Sequence, residues 1–200
     1  MKNYGELKKL LFSKSLKKIS EKTITIHYDK LYDGYIKKWQ EIEEKLKLID
    51  KSSANATFSD LRELKVEESF TANAIILHEA YFDILGGNGE IEGEIIEIIK
   101  KDFGSFEAWL EDFKALGLCS RGWTVLGYDF NDGKLRNFLL DTHNLYGVLG
   151  TSPILVMDMY EHAYFIDFGS DKKSYIEAFF ENLDWKIINK KFQKIVKDNN

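Results

Sequence analysis

The sequence is poor in cysteine, since Cys119 is its only one. A single thiol excludes an intrachain disulfide and a zinc site built from cysteines. We interpret Cys119 as a small buried apolar residue. Long apolar runs are also missing, because no stretch approaches the ~20 consecutive apolar residues that a membrane span requires. The sequence therefore predicts neither a disulfide-stabilised protein nor a membrane-spanning one.

An excess of basic residues is likewise absent. The chain has 28 lysines and arginines against 33 aspartates and glutamates, for a net charge of -5. Binding of nucleic acid through phosphate contacts normally needs a basic excess, so that function class is disfavoured. Lysines do punctuate the first eighteen residues, where we expect a solvated tail or an exposed helix. Since no apolar run with a cleavage site follows them, we expect a cytoplasmic protein.

What remains is an ordinary globular composition. Hydrophobic residues make up 44% of the 200-residue chain and charged residues 30%, enough for one large domain or two small ones. The clearest break is the glycine-rich run 86–89, and we place a boundary there, between residues 1–87 and 88–200. This run lacks the strand-then-helix context of a phosphate-binding loop, so we predict no nucleotide site.

Apolar residues of the first half recur with helical spacing. Ser20 offers a capping side chain, and His27, Leu31 and Tyr35 fall on one face of a predicted helix that runs to about Leu48. A second helix is predicted over residues 59–85 and carries His78. Two antiparallel helices of this kind can present His27 and His78 to each other.

The second half mixes helical and strand patterns. An Asn-Asp-Gly turn at residues 131–133 lies between runs typical of strands and predicts a β-hairpin. The whole chain is therefore predicted to be α+β, an N-terminal helical hairpin packed on a small three-stranded antiparallel sheet with flanking helices. The predicted helices of this half are 90–101, 105–118, 160–168 and 172–191, and the strands are 123–130, 134–141 and 153–157.

The chain has only four histidines, and one of them, His162, follows Asp158 by four residues. Asp158 ends the apolar run 153–157, where an ionised carboxylate is costly unless a cation compensates it. Imidazoles combined with a carboxylate suit a first-row ion such as iron or manganese, although zinc also accepts these ligands. A single buried histidine is more often a hydrogen-bonded core residue, and that alternative applies to each histidine taken alone.

Residues 158–164 read Asp-Met-Tyr-Glu-His-Ala-Tyr. This motif resembles the signature of the iron/manganese superoxide dismutase family, whose usual form has tryptophan in place of Tyr160. Further segments resemble that family in the same order along the chain, namely residues 20–35, 72–78, 103–106, 122–126 and 182–185.

The resemblance implies one iron or manganese ion per subunit, held by His27, His78, Asp158 and His162. It also implies the disproportionation of superoxide to dioxygen and hydrogen peroxide. In the family a glutamine usually contacts the metal-bound solvent, and at one of its two positions this chain has Ala74, which cannot do so. Some members have histidine at the other position, so we predict that His143 takes this role and contacts a gate residue, Tyr35. A core role for His143 remains the alternative.

The resemblance further predicts a dry aromatic wall of Trp123, Tyr160 and Phe82, and an assembly. In the family the glutamate equivalent to Glu161 reaches the ligand histidine of a second subunit, so we expect a homodimer or a dimer of dimers. The family commonly has a histidine pair at Leu31 and Tyr32, and the first histidine usually pairs with the partner's tyrosine equivalent to Tyr164.

That pairing is missing in this chain. A metal-binding relative with impaired turnover is therefore the alternative function, and the ligands leave open the choice between iron and manganese.

Overall fold

A computed structural model describes residues 4–198 of the chain. Its N-terminal half is a helical hairpin of α1 and α2. Helix α1 runs continuously through Glu21–Ile26, His27–Tyr32 and Asp33–Leu48, and helix α2 spans Asp60–Asp83. Ser20 and Ser59 cap the two helices by accepting hydrogen bonds from the backbone N–H of Thr23 and Arg62. The predicted pair of long helices is confirmed.

The middle of α1 is a π-helical turn over His27–Tyr32. There the N–H of Asp33 donates to the carbonyl of Tyr28, five residues earlier. The wider turn brings Tyr32 rather than Leu31 into the interior, since Tyr32 is only 1% exposed and Leu31 is half-buried. The expectation of one regular α-helical face bearing His27, Leu31 and Tyr35 was therefore wrong in register.

The C-terminal half begins with two helices and continues with a three-stranded sheet and three further helices. Ser105 caps the second helix at the N–H of Ala108, as its sequence position suggests. The predicted α+β class is confirmed. The elements are α3 (Ile95–Phe103), α4 (Phe106–Cys119), β1 (Trp123–Asp129), β2 (Lys134–Leu140), β3 (Thr151–Asp158), α5 (Glu161–Phe168), α6 (Lys172–Glu181) and α7 (Trp185–Lys197).

All strand pairs of the sheet are antiparallel, in the order β2-β1-β3. The predicted β-hairpin forms around Gly133, whose φ of 71° lies in the region that glycine tolerates. Pro153 is accommodated because β3 is an edge strand. The register sets Trp123 opposite Asp158 at one end of the sheet. Strand pairing alone thus places Trp123 and Asp158 side by side.

The predicted single helix 172–191 was wrong, because two helices, α6 and α7, occupy this region. The break between them is a tertiary effect. The N–H of Gly87 donates to Asn182 O at 3.0 Å, and the N–H of Asp184 donates to Ile84 O at 2.8 Å. A Cβ at Gly87 would lie 2.2 Å from Leu183 O, so only glycine permits this approach. The end of the helical hairpin is thereby fastened to the C-terminal half.

Residues 4–19, which we call the N-terminal strap, have no regular secondary structure and lie across both halves of the protein. The backbone N–H of Lys17 donates to Asn182 Oδ1 at 2.8 Å, and Asn182 Nδ2 donates to Lys17 O at 2.9 Å. Lys8 pairs with Asp83 and Lys18 with Glu181. The lysines are solvated as expected, since Lys8, Lys9, Lys17 and Lys18 are exposed, but the segment is a packed strap and neither a free tail nor a helix. Residues 1–3 lie outside the described part.

Cys119 is exposed, contrary to expectation. It ends α4 two residues after the buried Gly117, and two residues turn a helix by about 200°, which carries Cys119 to the solvent side. The interior is otherwise a continuous apolar cluster to which both halves contribute. Within residues 4–198, none of the helices combines the length and apolarity needed to cross a membrane.

Candidate metal centre

The four predicted ligands come together where the helical hairpin meets the sheet. His27 lies in the π-helical turn of α1 and His78 near the end of α2. Asp158 is the last residue of β3, and His162 lies in the first turn of α5. One donor atom from each residue lies within 4.8 Å of the other three. The fold therefore joins residues that are up to 135 positions apart in the chain.

The imidazoles surround one carboxylate oxygen. Asp158 Oδ2 lies 3.0 Å from His27 Nε2, 3.1 Å from His162 Nε2 and 3.9 Å from His78 Nε2. The other oxygen, Oδ1, accepts a hydrogen bond from the N–H of Tyr160 at 2.9 Å, which fixes the orientation of the carboxylate. Asp158, His27 and His78 are fully buried, and the His162 side chain is 24% exposed.

Several imidazole nitrogens of the site have no hydrogen-bond partner and could bind a metal ion. His78 Nδ1 lies 2.7 Å from the carbonyl of Ala74, so Nδ1 carries the proton and Nε2 has a free lone pair. Among the described residues, His78 Nε2 and both ring nitrogens of His27 are buried without a hydrogen-bond partner. Buried polar atoms are rarely left in this condition, and a bound ion is one of the few explanations.

At three of the four residues the pKa shifts favour the protonation states that a metal requires. Burial lowers the pKa of His27, and burial together with the charge of His27 lowers the pKa of His78. Burial alone would raise the pKa of Asp158, but its interactions with His162 and His27 hold that pKa well below the usual value. Burial opposes the charged form of His162 too, although the Asp158 carboxylate raises its pKa overall. The site therefore offers an anionic oxygen at Asp158 and neutral imidazoles at His27 and His78, whereas a metal must displace a proton from His162.

These observations fit iron or manganese. Metal–nitrogen and metal–oxygen bonds of about 2.0–2.2 Å put two donors of one ion roughly 3–4 Å apart, as the donors around Asp158 Oδ2 are. The donor set, three imidazoles and one carboxylate, suits a borderline first-row ion.

Aromatic rings enclose the four residues. Phe82 and Tyr81 pack on His27 with ring centroids 4.9 and 5.1 Å away, and Trp123 meets His78 edge-on at 5.0 Å. Tyr160 stacks on His162 at 5.4 Å. Such a wall keeps water out and strengthens every nearby electrostatic interaction.

His143 joins Trp123 of this wall to Tyr35 of the helical hairpin. Its Nδ1 lies 2.9 Å from Trp123 Nε1, and its Nε2 lies 2.9 Å from the hydroxyl of Tyr35. His143 is 1% exposed, and burial lowers its pKa to about 4. The Tyr35 ring packs on His78 at 5.3 Å, and burial raises the phenol pKa. The contact between His143 and Tyr35 is therefore present, at the edge of the ligand cluster.

The residues expected at a subunit interface lie on or beside α5. Glu161 is exposed and has neither a hydrogen bond nor an ion pair within residues 4–198. Tyr164 is 4% exposed, and its ring lies 5.4 Å from that of Tyr175.

Sequence reasoning missed two residues that contact the proposed ligands. Tyr81 packs on His27, and its position three residues after His78 on the same helix was an available signal. Tyr32 stacks on His78 with ring centroids 6.1 Å apart and donates from its hydroxyl to Glu79 Oε1 at 3.1 Å. Its inward position depends on the π-helical turn, for which the sequence carries no marker.

The fold and the site together define a class of protein, an α+β metalloprotein with one buried three-histidine, one-aspartate centre between a helical hairpin and a three-stranded sheet. Residues 91–191 match the sequence profile of the iron/manganese superoxide dismutases, C-terminal domain. This chain belongs to the iron/manganese superoxide dismutase family.

Several relatives match nearly the whole chain. The chain is 41% identical to a superoxide dismutase [Fe] of Aquifex pyrophilus over 197 residues, 96% of this chain and 92% of the relative. It is 41% identical to a superoxide dismutase [Fe] of Aquifex aeolicus over 188 residues, 92% of this chain and 88% of the relative. With superoxide dismutase [Mn] 1 of Halobacterium salinarum the identity is 32% over 182 residues, 88% of each chain.

Proposed function

We propose that this protein is a superoxide dismutase with one iron or manganese ion per subunit. Two superoxide ions and two protons are converted into one dioxygen and one hydrogen peroxide. The observation that carries the proposal is the convergence of three imidazole Nε2 atoms on Asp158 Oδ2 in a buried site. Family membership supports the reaction, and relatives named for iron and for manganese both match the chain.

The protein contributes the ligands and their orientation. His27, His78 and His162 would bind the ion through Nε2, and Asp158 through Oδ2. The bound ion would supply the one-electron exchange with superoxide. The N–H of Tyr160 and the carbonyl of Ala74 hold Asp158 and His78 in binding orientation. Because the hairpin and the C-terminal half each give two ligands, metal binding stabilises their docking.

Proton supply and substrate access are assigned to Tyr35 and His143. The raised pKa of Tyr35 keeps a proton on its hydroxyl at neutral pH. His143 holds that hydroxyl in place through a 2.9 Å contact. Trp123, Tyr160 and Phe82 exclude water around the ligands, with Tyr81 as a fourth ring.

Metal analysis combined with a superoxide consumption assay on the purified protein tests this function. We expect about one iron or manganese per chain and rapid turnover. The protein should be expressed in iron-limited and in manganese-limited medium, because activity per bound ion then identifies the productive metal. Bound metal with negligible turnover would instead support an impaired metal-binding relative.

For the assembly we propose a homodimer. A dimer of dimers would require contacts through other surfaces. Glu161 is exposed and unpaired within residues 4–198, and His162 Nδ1 has no hydrogen-bond partner there. Phe165 and Ile166 on the same helix are 55% and 44% exposed, which is typical of a surface that a partner covers. In the dimer, Glu161 would accept a hydrogen bond from Nδ1 of the partner subunit's His162.

Sedimentation of Glu161→Gln tests the dimer. We expect weaker association and lower metal retention, because the loss of the carboxylate releases a ligand histidine in the other subunit. Glu111→Gln, an exposed glutamate on α4, is the matched control and should behave as the unmodified protein. An unchanged dimer that retains its metal in Glu161→Gln would contradict this arrangement.

The division into residues 1–87 and 88–200 and a cytoplasmic location are also proposals. The first is supported by the change from helices alone to mixed structure after the glycine-rich run 86–89. The second is supported by an acidic composition with one unpaired, exposed cysteine. Limited proteolysis and cell fractionation test them.

A further inference from the structure

Lys8 of the N-terminal strap is bonded to both helices of the hairpin. Its carbonyl accepts a hydrogen bond from the Tyr28 hydroxyl at 2.6 Å, and its N–H donates to the Tyr32 hydroxyl at 3.2 Å. Its ammonium group pairs with Asp83, the last residue of α2, at 2.6 Å. Tyr28 and Tyr32 lie in the π-helical turn of α1 and are 7% and 1% exposed. One residue of the strap thus ties that turn to the end of α2.

Tyr32 connects this attachment to His78. Its ring stacks on the imidazole, with the planes 12° apart and the centroids separated by 6.1 Å. Its hydroxyl donates to Glu79 Oε1 at 3.1 Å, since a carboxylate only accepts. A lone pair of the same hydroxyl then accepts the N–H of Lys8. Tyr32 is thereby held by the strap and by the helix that bears the ligand, and its ring limits the rotation of His78.

Tyr28 connects the strap to His27 through Phe82. The Tyr28 ring meets Phe82 edge-on with centroids 5.5 Å apart, and the Phe82 centroid lies 4.9 Å from that of His27. A ligand histidine is normally oriented by a hydrogen bond from its second ring nitrogen. Among the described residues, neither ring nitrogen of His27 has such a partner. Packing must therefore orient this imidazole, and Phe82 and Tyr28 are part of that packing.

We propose that the N-terminal strap is a positioning element of the metal site, in which Lys8 fixes Tyr28 and Tyr32 and these rings keep His27 and His78 in the metal-binding orientation. When the strap detaches from the hairpin, both rings can turn and the ion is released faster. This inference rests on the proposed function only for the statement that an ion occupies the four ligands, and it does not depend on turnover.

Hydrogen exchange of the unmodified protein tests the coupling between strap and metal. Coupling between two sites is reciprocal, so a bound ion must protect the strap as strongly as the strap retains the ion. We expect manganese(II) loading to slow exchange around Lys8 about tenfold, as read by mass spectrometry. The segment around Lys17 is the control, because its N–H donates to Asn182 of the C-terminal half. Equal exchange around Lys8 with and without manganese would overturn the proposal.

The rate of manganese release to a chelator tests the two hydroxyls. Tyr28→Phe and Tyr32→Phe keep the rings but lose the bonds to Lys8, and we expect release to be about tenfold faster in each. Tyr175→Phe is the matched control, because Tyr175 is fully buried and its hydroxyl donates to Tyr81 Oη at 3.4 Å, away from the strap. Equally fast release in all three variants would show a general loss of stability and contradict the proposal.

The electron paramagnetic resonance spectrum of the bound manganese(II) separates positioning from stability. We expect the zero-field splitting to change in Tyr32→Phe, because His78 is no longer held at one angle, and to stay unchanged in Tyr175→Phe. The same splitting in both variants would contradict a role of Tyr32 in orienting the ligand.

An exposed pair of variants keeps the test valid should the tyrosine variants fail to fold. Lys8→Met loses the ion pair with Asp83, and we expect release to be about two- to fivefold faster, as an exposed pair allows. Lys9→Met is the control, because Lys9 is exposed and its side chain has no ion pair within residues 4–198. Identical release rates in these two variants would count against the strap.

The two proposals fail separately. A protein that retains manganese through the strap but does not consume superoxide rejects only the proposed function. Rapid turnover, combined with manganese release that ignores Lys8, Tyr28 and Tyr32, rejects only this inference.

Discussion

The two halves of the protein supply different kinds of ligand. The helical hairpin contributes His27 and His78, which are fully buried and have lowered pKa values and unpartnered nitrogens. The C-terminal half contributes Asp158 and His162, which form an ion pair at 3.1 Å and reach the surface through His162. The hairpin thus provides rigid neutral donors, and the C-terminal half provides charge and access. Neither half therefore forms the metal site alone.

The largest effect, a loss of metal affinity, should follow from removing the carboxylate charge of Asp158. In Asp158→Asn the ion loses its only anionic ligand, and we expect metal affinity to fall more than about 100-fold, beyond the effect typical of outer contacts. Metal content after dialysis against a chelator measures this. Asp132→Asn, which removes an exposed partner of Arg136 at the β-hairpin turn, should keep its metal. Equal metal retention in both variants would refute the role of Asp158.

A change at His143 should separate metal binding from catalysis. His143 follows β2 and touches both Tyr35 of the hairpin and Trp123 of the sheet, yet it is no ligand. We expect His143→Ala to retain metal but to lose about 10–100-fold in superoxide turnover, because Tyr35 is no longer oriented. Asn144→Ala in the same loop loses hydrogen bonds to Ser69 and Thr142 but no contact to Tyr35 or Trp123, and it serves as the control. Full activity in His143→Ala would leave His143 as a core histidine.

In the metal-free protein, His143 and His162 should contribute to the pH dependence of the unfolding free energy with opposite signs. The pKa of His143 is about 4 in the folded state and about 6.5 when unfolded, so the unfolded chain binds the proton first. Stability from His143 is present above pH 6.5 and lost as the pH falls toward 4. The raised pKa of His162 has the opposite sign, since its contribution is present below pH 6.5 and lost as the pH rises through the folded pKa.

Urea unfolding at pH 7 and pH 4.5 measures this difference. We expect His143→Gln to reduce the loss of unfolding free energy between these pH values by roughly 2 kcal/mol. His162→Gln should increase the loss. The same sign for both variants would contradict the assigned environments.

The last effect concerns stability alone and the attachment of the N-terminal strap to the C-terminal half. The buried side chain of Asn182 exchanges two hydrogen bonds with Lys17 of the N-terminal strap and donates to Ala178 O at 2.7 Å. We expect Asn182→Ala to lower the unfolding free energy by about 1–3 kcal/mol. Metal binding should be retained, because the four proposed ligands are unchanged. Asn55→Ala, in the loop between α1 and α2, is the control. Equal stability of the two variants would show that the strap contributes little.

The sequence predicted what local patterns determine. Ser20 and Ser105 cap helices as expected, the turn at 131–133 forms, and the Asp158–His162 spacing identified one half of the site. Features set by tertiary contacts were missed. The break after α6 depends on backbone pairing with residues 84–89, and the inward position of Tyr32 depends on a π-helical turn. Neither has a periodic signal, because the break depends on residues far away in the chain and the π-helical turn departs from regular helical spacing.

The central claim is that His27, His78, Asp158 and His162 bind one redox-active ion. Anomalous X-ray diffraction at the absorption edges of iron and manganese, from crystals of the metal-loaded protein, tests it most directly. We predict one peak per chain, bonded to the three Nε2 atoms and to Asp158 Oδ2. A peak located elsewhere, or one bonded to ligands of only one half, would contradict the account.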